Sequence, residues 1–514
     1  MKIALAQINT IAGNIKYNSQ KIKDFAAKAK AAGADIAVFP ELALPGGLAK
    51  DLYLRKDFLA LCNDELDKLA ADIALPSFVG TVYAGENAAL YLKGGKAAHA
   101  ASKINRFDDL RYFKNNDVED IFDSFACCVY SCADELERAA KKASQNKASC
   151  LIVLANRIFY LGKIEKDHKI ITDCAVKNGI DVVFVNMCGA QDGLVSYGSS
   201  FAVSKDGKIK ALADPFEESL QTADFGISQY CDEMPEISYE EQAYDALVAG
   251  LRDYAVKNGF KKFVLGISGG IDSALVSVIA KDALGSENVT GIFMPSEFTS
   301  KQSKDDAELL CKMNGIKLLN VPITPLFEAF KSSLAEIFKG TKEDLTEENM
   351  QSRIRGMILM AYSNKFNSMV LTTGNKSEAA AGYCTLYGDS AGGYAVISDL
   401  PKTFLYKVCE YRNFMLDAIP KSILEREPTA ELRHNQKDAD SLPPYEVLDA
   451  DIVKYMNLFD DKAEQTLSDA DKNVFKMISR AEYKRRQSPP GTKITKKSFG
   501  IDVRMPLTNG YREI

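Results

Sequence analysis

The chain contains 514 residues, of which 46% are hydrophobic and 26% are charged, and its formal net charge is -6. A chain of this length is too long for one hydrophobic core, so we expect two or three domains. The composition is typical of a globular protein, and the negative charge argues against nucleic acid or an anionic membrane as the main partner. Eleven cysteines without CxxC spacing and three dispersed histidines predict neither a zinc site nor a disulfide framework. The sequence has no targeting segment or long apolar run, so we expect a cytoplasmic protein.

In the first 230 residues, apolar runs typical of strands alternate with amphipathic stretches typical of helices. The strand candidates are Ile3–Gln7, Ile36–Phe39, Phe78–Tyr83, Cys127–Ser131, Leu151–Leu154 and Val182–Asn186. Ser19–Ala32 and Glu135–Ser144 are two of the amphipathic stretches between them. This alternation predicts an α/β domain with a central sheet.

Three residues of this half form a set of amidase groups that needs no histidine. Glu41 follows a strand candidate, Lys103 precedes the segment Arg106–Phe113, and Cys132 ends an apolar run. They would supply a carboxylate base, an ammonium group that stabilises an oxyanion and a thiol nucleophile. The neighbouring Cys127 and Cys128 compete as nucleophiles, but their position within a strand favours a core role.

The acidic stretch Cys231–Glu241, which contains Pro235, interrupts the alternation of strands and helices. We therefore predict a first domain at 1–230, a linker at 231–240 and a second domain at 241–514.

Residues 268–273 read Ser-Gly-Gly-Ile-Asp-Ser and lie between the apolar run Phe263–Ile267 and the helical stretch Ala274–Ala283. The glycines let the backbone approach a ligand closely, and N–H groups at a helix start attract phosphate. The serines add hydroxyl donors, and Asp272 could hold Mg²⁺ against the phosphates. The segment lacks the Gly-Lys-Ser/Thr ending of a Walker loop, so ordinary P-loop phosphoryl transfer is disfavoured. It resembles the loop of enzymes that split ATP into AMP and pyrophosphate.

Two further segments of the second half carry polar groups at positions that favour ligand binding. In the predicted helix that Glu348–Arg355 opens, Asn349 and Arg353 are four residues apart and share a face, whereas Arg355 is expected off that face, in packing or surface charge. Thr373 and Glu378 follow a strand candidate, and ligands of open α/β sheets gather at the carboxyl ends of strands.

The motifs of the second half, in this order along the chain, resemble the NAD synthetase family. They are Ser268–Ser273, Glu348–Gly356, Thr373–Glu378, Tyr387–Asp389, Pro401–Thr403, Ala430–Arg433, Ser441–Tyr445 and Lys484–Gly491. Members of that family activate deamido-NAD with ATP, and ammonia then converts the adenylate to the amide. The resemblance implies a doubly wound parallel sheet of the adenine nucleotide α-hydrolase type and a homo-oligomer formed through this domain.

The resemblance also implies a role for individual residues. The implied ATP contacts are Gly266, Ser268, Gly269, Gly270, Asp272, Ser273, Thr373, Lys402 and Thr429. The implied deamido-NAD contacts are Asn349, Arg353, Glu378, Asp389 and Lys484. Asp272 and Glu378 are implied ligands of Mg²⁺. For Lys402 and Lys484 the alternative is a solvated surface charge.

The order Glu41, Lys103, Cys132 resembles the nitrilase or carbon–nitrogen hydrolase family, which is fused ahead of the synthetase as a glutaminase. The resemblance implies a four-layer α/β/β/α sandwich in which glutamine is hydrolysed through a thioester at Cys132. Glu41 would take the thiol proton, and Lys103 would stabilise the tetrahedral oxyanion. The ammonia would reach the synthetase site through a shielded tunnel.

Other segments of the first half both support and weaken this resemblance. Gly189–Gly193 and Tyr197–Phe201 are similar to late nitrilase motifs, and Tyr112 is similar to a glutamine-pocket tyrosine, with core packing as the alternative. Ala133 replaces the family's acidic residue after the nucleophile, and Ala155–Arg157 replaces its Ser-Ala-Ser segment. The alternatives are therefore an ammonia-dependent synthetase with a degenerate amidase domain, another ATP-pyrophosphatase amidotransferase, or an inactive nucleotide-binding scaffold.

Overall fold

The computed structural model describes residues 1–227, 234–434, 436–459 and 467–511. The chain divides into two units, Met1–Ile237 and Ser238–Ile514. The predicted linker, 231–240, spans this division, and its first three residues lie outside the described ones. In the described part of the chain, no helix has the length and apolarity that crossing a bilayer requires.

Within the described part of the N-terminal unit, two six-stranded sheets, one two-stranded sheet and four α-helices form. The strands are β1 (Lys2–Gln7), β2 (Ile36–Val38), β3 (Ser77–Tyr83), β4 (Glu86–Lys93), β5 (Lys96–Ser102), β6 (Ile121–Phe122), β7 (Phe125–Val129), β8 (Cys150–Ala155), β9 (Asp181–Asn186), β10 (Cys188–Gln191), β11 (Leu194–Tyr197), β12 (Phe201–Val203), β13 (Ile209–Leu212) and β14 (Ser219–Asp224). The helices are α1 (Ile15–Ala31), α2 (Lys56–Asp72), α3 (Ala133–Gln145) and α4 (Lys163–Asn178). Short 3₁₀ helices occupy Lys50–Leu54 and Phe107–Arg111.

The two large sheets of this unit run β14-β1-β2-β3-β4-β5 and β13-β12-β9-β8-β7-β6. Alternate residues of a strand point to opposite faces. Ile3 and Leu5 of β1 therefore share one core with Ile152 and Leu154 of β8, between the sheets. On the outer faces, one sheet packs on side chains of α1 and α2, and the other packs on α3 and α4. The layers are thus α/β/β/α, which confirms the predicted sandwich.

The C-terminal unit forms a five-stranded sheet within its described residues. Its strands are β15 (Phe263–Gly266), β16 (Val289–Phe293), β17 (Lys317–Asn320), β18 (Met369–Thr372) and β19 (Tyr394–Ala395). The helices are α5 (Tyr239–Lys257), α6 (Ile271–Leu284), α7 (Lys301–Asn314), α8 (Thr324–Leu334), α9 (Leu345–Phe366), α10 (Lys376–Ala381), α11 (Lys402–Met415), α12 (Lys421–Leu424), α13 (Tyr445–Asn457), α14 (Asp469–Arg480) and α15 (Glu482–Arg485). Ser286–Asn288 and Asp438–Asp440 are 3₁₀ helices.

All pairs in this sheet are parallel, and the strand order is β17-β16-β15-β18-β19. The chain starts in the centre, builds outward to β17 and then crosses back to β18, which is the topology of a doubly wound sheet. The predicted fold class is therefore confirmed in this unit as well. The crevice of such a sheet opens at the carboxyl ends of the two strands where the order reverses, here β15 and β18. The Ser-Gly-Gly loop and Thr373 follow those two strands directly.

Candidate active sites

Glu41 lies in the turn after β2 and is 3% exposed. One carboxylate oxygen, Oε1, accepts hydrogen bonds from Asn87 Nδ2 at 2.7 Å and from Lys103 Nζ at 2.8 Å. The other, Oε2, accepts from the backbone N–H of Asn156 at 3.0 Å. The turn packs tightly on β3, because a Cβ at Gly80 would lie 2.3 Å from the Pro40 carbonyl oxygen. Three donors and a close backbone contact therefore fix the orientation of this carboxylate.

Lys103 lies between two carboxylates. Its Nζ is 2.8 Å from Glu41 and 3.0 Å from Asp109 Oδ2, and its side chain is 15% exposed. Burial alone would lower the pKa of this lysine, but the charges of Glu41 and Asp109 outweigh burial and raise the pKa. Lys103 is therefore an ammonium group at neutral pH. The structure brings the predicted base and the predicted oxyanion group into direct contact.

Cys132 is partly exposed and immediately precedes α3. The preceding residue, Ser131, donates its hydroxyl to the Ile104 carbonyl at 2.6 Å, and Ile104 follows Lys103 in the chain. This bond ties the cysteine segment to the lysine segment. Cys127 and Cys128 are buried in β7, and burial raises the pKa of both thiols well above the ordinary value. They are core thiols, as expected.

Tyr112 lies beside the site in an aromatic cluster. Its hydroxyl donates to Asp51 Oδ1 at 3.0 Å, and its ring centre is 6.1 Å from that of Tyr53 and 6.2 Å from that of Phe113. The ring is partly buried and the hydroxyl is held at an exposed carboxylate.

A buried ionic cluster follows the segment Ala155–Arg157. Asp167, which is 0% exposed, accepts from Arg157 Nε at 3.1 Å and from Lys163 Nζ at 2.8 Å. The Tyr197 hydroxyl donates to the same carboxylate at 2.8 Å. The Arg157 guanidinium also lies 4.4 Å from the ring centre of Tyr130. One carboxylate thus balances the buried Lys163 and the half-buried Arg157, next to the segment where the sequence differs from the nitrilase family that it resembles.

In the C-terminal unit, the Ser-Gly-Gly loop is shaped by close backbone contacts. Gly269 has φ +80, and a Cβ there would lie 2.3 Å from the Ser303 carbonyl oxygen, so only glycine fits. Ser273 Oγ accepts from the backbone N–H of Ser268 at 3.2 Å, and Ser268 Oγ accepts from that of Gly270 at 3.1 Å. The loop then passes into α6, and the N–H groups at the start of a helix favour an anion.

Asp272, Lys402 and Glu378 form a charged group next to this loop. Lys402 is 2% exposed and its Nζ donates to Asp272 Oδ2, while Asn375 Nδ2 donates to Asp272 Oδ1 at 2.8 Å. Burial lowers the pKa of Lys402, but Asp272 and Glu378 outweigh burial and raise it. Burial and then the charge of Asp272 raise the pKa of Glu378 against the opposing effect of Lys402. Lys402 is therefore a buried ion, and the surface-charge alternative is wrong for it.

The loop and this charged group open into a cavity of about 530 Å³. Twelve of the predicted contacts line it: Gly266, Ser268, Gly270, Asp272, Ser273, Asn349, Thr373, Glu378, Asp389, Lys402, Thr429 and Lys484. Gly269 and Arg353 do not. A cavity of this volume, with polar groups converging on it, is typical of small-molecule sites.

A second polar group gathers around the loop after α10. Asn349 Oδ1 accepts from the Thr385 hydroxyl at 2.7 Å, and Asp389 Oδ1 accepts from the Thr385 N–H at 2.7 Å. Burial raises the pKa of Asp389 against the opposing hydrogen bonds from Thr385 and Ser352. Lys484 Nζ donates to the carbonyls of Gly382 and Cys384, both at 2.7 Å, so it too is not a solvated surface charge.

Helix α9 presents to the cavity a face other than the predicted one. Its cavity-lining residues are Leu345, Glu348, Asn349, Ser352, Arg355, Gly356 and Leu359. These spacings of three, four and seven define one helical side, and Asn349 lies at its edge. Arg353, four residues further along, turns away from the cavity; it is exposed and donates from Nε to the Leu386 carbonyl at 3.2 Å. Arg355, which was expected off that face in packing or surface charge, lines the cavity and is half-buried, so it is not a solvated surface charge, whereas a packing role is not contradicted.

Sequence reasoning missed several residues that support the two sites. Asn87, Asp109 and the Asn156 N–H hold Glu41 and Lys103; Asp109 lies within the segment Arg106–Phe113 and Asn156 within Ala155–Arg157, but neither was predicted to contact the site. In the cavity, the missed residues are Ser303, Arg426 and Glu431. Glu431 belongs to the motif Ala430–Arg433 and Ser303 closes a polar stretch after β16, so both carried a weak signal.

Comparison with known proteins agrees with both predicted resemblances. Residues 2–231 match the family described as carbon-nitrogen hydrolase, and residues 243–488 match the family described as NAD synthase. The chain is 38% identical to the glutamine-dependent NAD(+) synthetase of Xanthomonas campestris pv. campestris over 99% of this chain and 98% of the relative. It is 37% identical to that of Thermotoga maritima over 100% of this chain and 99% of the relative.

Among solved structures, the chain is similar to glutamine-dependent NAD+ synthetase from Acinetobacter baumannii in complex with ADP. The TM-score is 0.77 and the sequence identity is 33%, over 99% of this chain and 98% of that chain. The similarity therefore extends through both units and is not confined to one of them.

Proposed function

Because this chain belongs to the family of glutamine-dependent NAD(+) synthetases, we propose that its two units share one amidation, with the residues of each site in the roles described below. The N-terminal unit releases ammonia from glutamine, and the C-terminal unit uses ATP to amidate deamido-NAD to NAD. The observation that carries the assignment of residues is that one cavity of the C-terminal unit collects both predicted groups of contacts. It is lined both by the Ser-Gly-Gly loop with Lys402 and by the group of Asn349, Asp389 and Lys484.

The synthetase half-reaction begins with a carboxylate, which is a poor electrophile. In the proposed sequence, a carboxylate oxygen of deamido-NAD attacks the α-phosphorus of ATP, and the bond from that phosphorus to the bridging oxygen breaks. The electron pair leaves with pyrophosphate, whose negative charge increases. Positively charged groups and hydrogen-bond donors must therefore face the position of the pyrophosphate before the bond breaks. The N–H groups and hydroxyls of Ser268–Ser273 and the Lys402 ammonium supply them. Ammonia then attacks the acyl carbon, and AMP departs.

Asp272 and Glu378 fit a magnesium site. Magnesium is usually held by one or two carboxylates together with substrate phosphates. Both carboxylates line the cavity, and burial together with the charge of Asp272 raises the pKa of Glu378, an effect that a bound cation would oppose. When bound, Mg²⁺ would neutralise negative charge on the phosphates. In the described residues, no group of three or more His, Cys, Asp or Glu side chains is arranged to hold a metal ion, so substrate oxygens would complete the shell.

In the N-terminal unit, we assign the base to Glu41, the oxyanion group to Lys103 and the nucleophile to Cys132. Glu41 takes the thiol proton as the sulfur attacks the glutamine amide carbon. The Lys103 ammonium stabilises the oxyanion, and Glu41 passes the thiol proton to the amide nitrogen as the carbon–nitrogen bond breaks. Ammonia departs and leaves a thioester that water hydrolyses to glutamate and the free thiol. The raised pKa of Lys103 supports this assignment, because the charge on its Nζ is retained at neutral pH. Tyr112 is assigned to the glutamine pocket.

Three coarser features complete the proposal. The functional domains are 1–230 and 241–514, joined by a linker at 231–240.

The chain acts as a homo-oligomer through its synthetase domain. The large apolar side chains of Met357 and Met360 on α9 support this, since they are 61% and 39% exposed. Light scattering at low micromolar concentration tests it: one mass equal to that of a single chain would contradict the oligomer.

The test is formation of NAD from deamido-NAD and ATP, with glutamine and separately with ammonium as nitrogen donor. We expect wild type to use both, and Cys132→Ala to lose the glutamine-supported rate while it keeps the ammonium-supported one. Equal glutamine rates in wild type and variant would remove the thiol from the mechanism and favour the degenerate-amidase alternative. No NAD with either donor would overturn the proposed function.

A further inference from the structure

On one wall of the synthetase cavity, two guanidinium groups stand beside a single carboxylate. Arg426 and Glu431 form an ion pair at 2.6 Å, and the Arg426 side chain is 17% exposed. The Ser303 hydroxyl lies 2.9 Å from both Glu431 oxygens and 2.7 Å from Arg426 Nη1. Glu431 is therefore already satisfied by Arg426 and Ser303.

The second guanidinium, Arg355, lacks such a partner. Its Nε donates to the Met294 carbonyl at 3.1 Å. Within the residues that the structure describes, its two terminal amino groups have no hydrogen-bond partner and the side chain forms no ion pair. Glu431 acts on its charge only from beyond ion-pair distance. The cluster of Arg355, Arg426 and Glu431 thus carries one positive charge in excess.

This excess charge is costly in the free protein. Burial lowers the pKa of Arg355 to about 10, against a weaker opposing effect of Glu431, so the group stays protonated at neutral pH. Arg355 is half-buried, and a charge that is partly removed from water without a counter-ion destabilises the fold until a ligand supplies the opposite charge. Arg355 also lines the cavity, where such a ligand would have access. The expected ligand is therefore an anion.

The position of the cluster identifies which anion. Ser303, which holds Glu431, is also the residue whose backbone packs on Gly269 of the phosphate loop. Met294, the acceptor for Arg355, directly follows β16, and β16 pairs in parallel with β15, the strand that leads into that loop. The excess charge therefore lies on the phosphate-loop side of the cavity. By contrast, Arg353 on the same helix donates to Leu386, near the group of Asn349 and Asp389.

We propose that Arg355 binds the triphosphate of ATP and holds the pyrophosphate as it leaves. This inference rests on the proposed function and adds a residue for which the sequence predicted no ligand contact. A guanidinium presents two parallel N–H groups to phosphate oxygens, which an ammonium group cannot do. As the bond between the α-phosphorus and the bridging oxygen breaks, the electron pair passes to pyrophosphate, whose new charge faces the cluster. Arg426, paired with Glu431, keeps that carboxylate from competing for Arg355.

The experiment compares Arg355→Gln and Arg355→Lys with Lys365→Gln, which removes an exposed charge from the last turn of the same helix. Arg355→Gln is expected to raise the KM for ATP and the inhibition constant of inorganic pyrophosphate about 10- to 100-fold. Arg355→Lys should restore part of each effect. The KM for deamido-NAD should change less than about twofold in both variants, and Lys365→Gln should behave as wild type.

Two outcomes would overturn the inference. One is an unchanged ATP KM and pyrophosphate inhibition in Arg355→Gln; the other is a large rise in the deamido-NAD KM alone, which would assign the anion to the second nucleotide. A purely structural role predicts a loss of thermal stability without ligand. Our proposal predicts the reverse: the free variant melts no lower than wild type, and ATP raises its melting temperature less. If wild type made no NAD at all, the proposed function would fail first, whereas an active wild type with unaffected variants would reject only the role of Arg355.

Discussion

The two candidate sites differ in how their charges are balanced. In the amidase site, the Lys103 ammonium is already paired with Glu41 and Asp109, and every oxygen of Glu41 has a donor. In the synthetase cavity, Glu378 has a raised pKa and Arg355 has no counter-ion among the described residues. Glutamine is hydrolysed largely by groups of the protein, whereas ATP brings its own negative charge. The charges of the synthetase cavity are therefore not balanced by the protein alone, and the negative charge of ATP would balance them when it binds.

The pairing in the amidase site can be broken by Glu41→Gln, which keeps the shape and removes the base. We expect the glutamine-supported rate to fall about 10²- to 10⁴-fold, the usual contribution of a general base. The ammonium-supported rate measured on the same preparation serves as the control and should stay within about twofold of wild type. If the glutamine-supported and ammonium-supported rates fell together, Glu41 would not act in glutamine hydrolysis alone. That result would contradict the assignment of the two half-reactions to separate sites.

In the synthetase cavity the corresponding change is Lys402→Met. Removal of this ammonium takes a preorganised positive charge from the phosphates, so the rate should fall about 10²- to 10³-fold with either nitrogen donor. Lys407→Met is the matched control, because Lys407 lies on the same helix, α11, and is exposed. Steady-state assays with glutamine and with ammonium make the comparison. A defect confined to glutamine would contradict the assignment of Lys402.

A variant in the ionic cluster of Asp167, Arg157 and Lys163 tests whether the charges of the N-terminal unit stabilise one another without a ligand. Asp167→Asn would leave the buried Lys163 and the half-buried Arg157 without their carboxylate, so the free energy of unfolding should fall by about 3–5 kcal/mol. Asp173→Asn on the same helix removes an exposed partner of Lys169, with the carboxylate side chain 64% exposed, and should cost less than about 1 kcal/mol. Denaturant unfolding followed by circular dichroism gives both values. If the free energy of unfolding fell by similar amounts in the two variants, Asp167 would not stabilise the protein more than an exposed carboxylate does.

Asp167→Asn should also change, by a smaller amount, how the free energy of unfolding depends on pH. Burial raises the pKa of Asp167, but Arg157 and Lys163 outweigh it and hold the pKa below its ordinary value of 3.8. A group whose pKa is depressed by folding stabilises the protein above its unfolded pKa, and that stabilisation is lost as the pH falls. The stability difference between wild type and Asp167→Asn should therefore be constant near neutrality and narrow below about pH 4. A difference that widens in acid would contradict the sign of the shift.

Sequence patterns predicted both folds, and twelve of the fourteen contacts predicted for the second half line the cavity, because these depend on local signals. The Ser-Gly-Gly loop needs glycine at 269, where backbone conformation and the contact with Ser303 exclude a side chain. Each strand candidate of the first half overlaps a strand of the structure. Lys103 was predicted beside Glu41, but the Asn156 donor to Glu41 could not be predicted, because it reaches across 115 residues and donates from the backbone, which leaves no trace in residue type.

The assignment of the α9 face failed for a related reason. Two residues four apart share a helical face, but only tertiary packing decides which face meets the cavity. Asn349 lies at the edge of that face, so Arg353 turns outward and Arg355 turns in. The long-range contact with Met294 and the distant carboxylate of Glu431, which the chain reaches only after α12, determine the surroundings of Arg355.

The central claim is that the nitrogen of the product comes from glutamine and the energy from cleavage of ATP to AMP. Deamido-NAD, ATP and glutamine carrying ¹⁵N in its amide group should be incubated with the wild-type chain and with unlabelled ammonium present below its KM. The account predicts NAD that is heavier by one mass unit, with AMP and pyrophosphate formed in equal amounts to it. Unlabelled NAD, or ADP and phosphate in place of AMP and pyrophosphate, would contradict it.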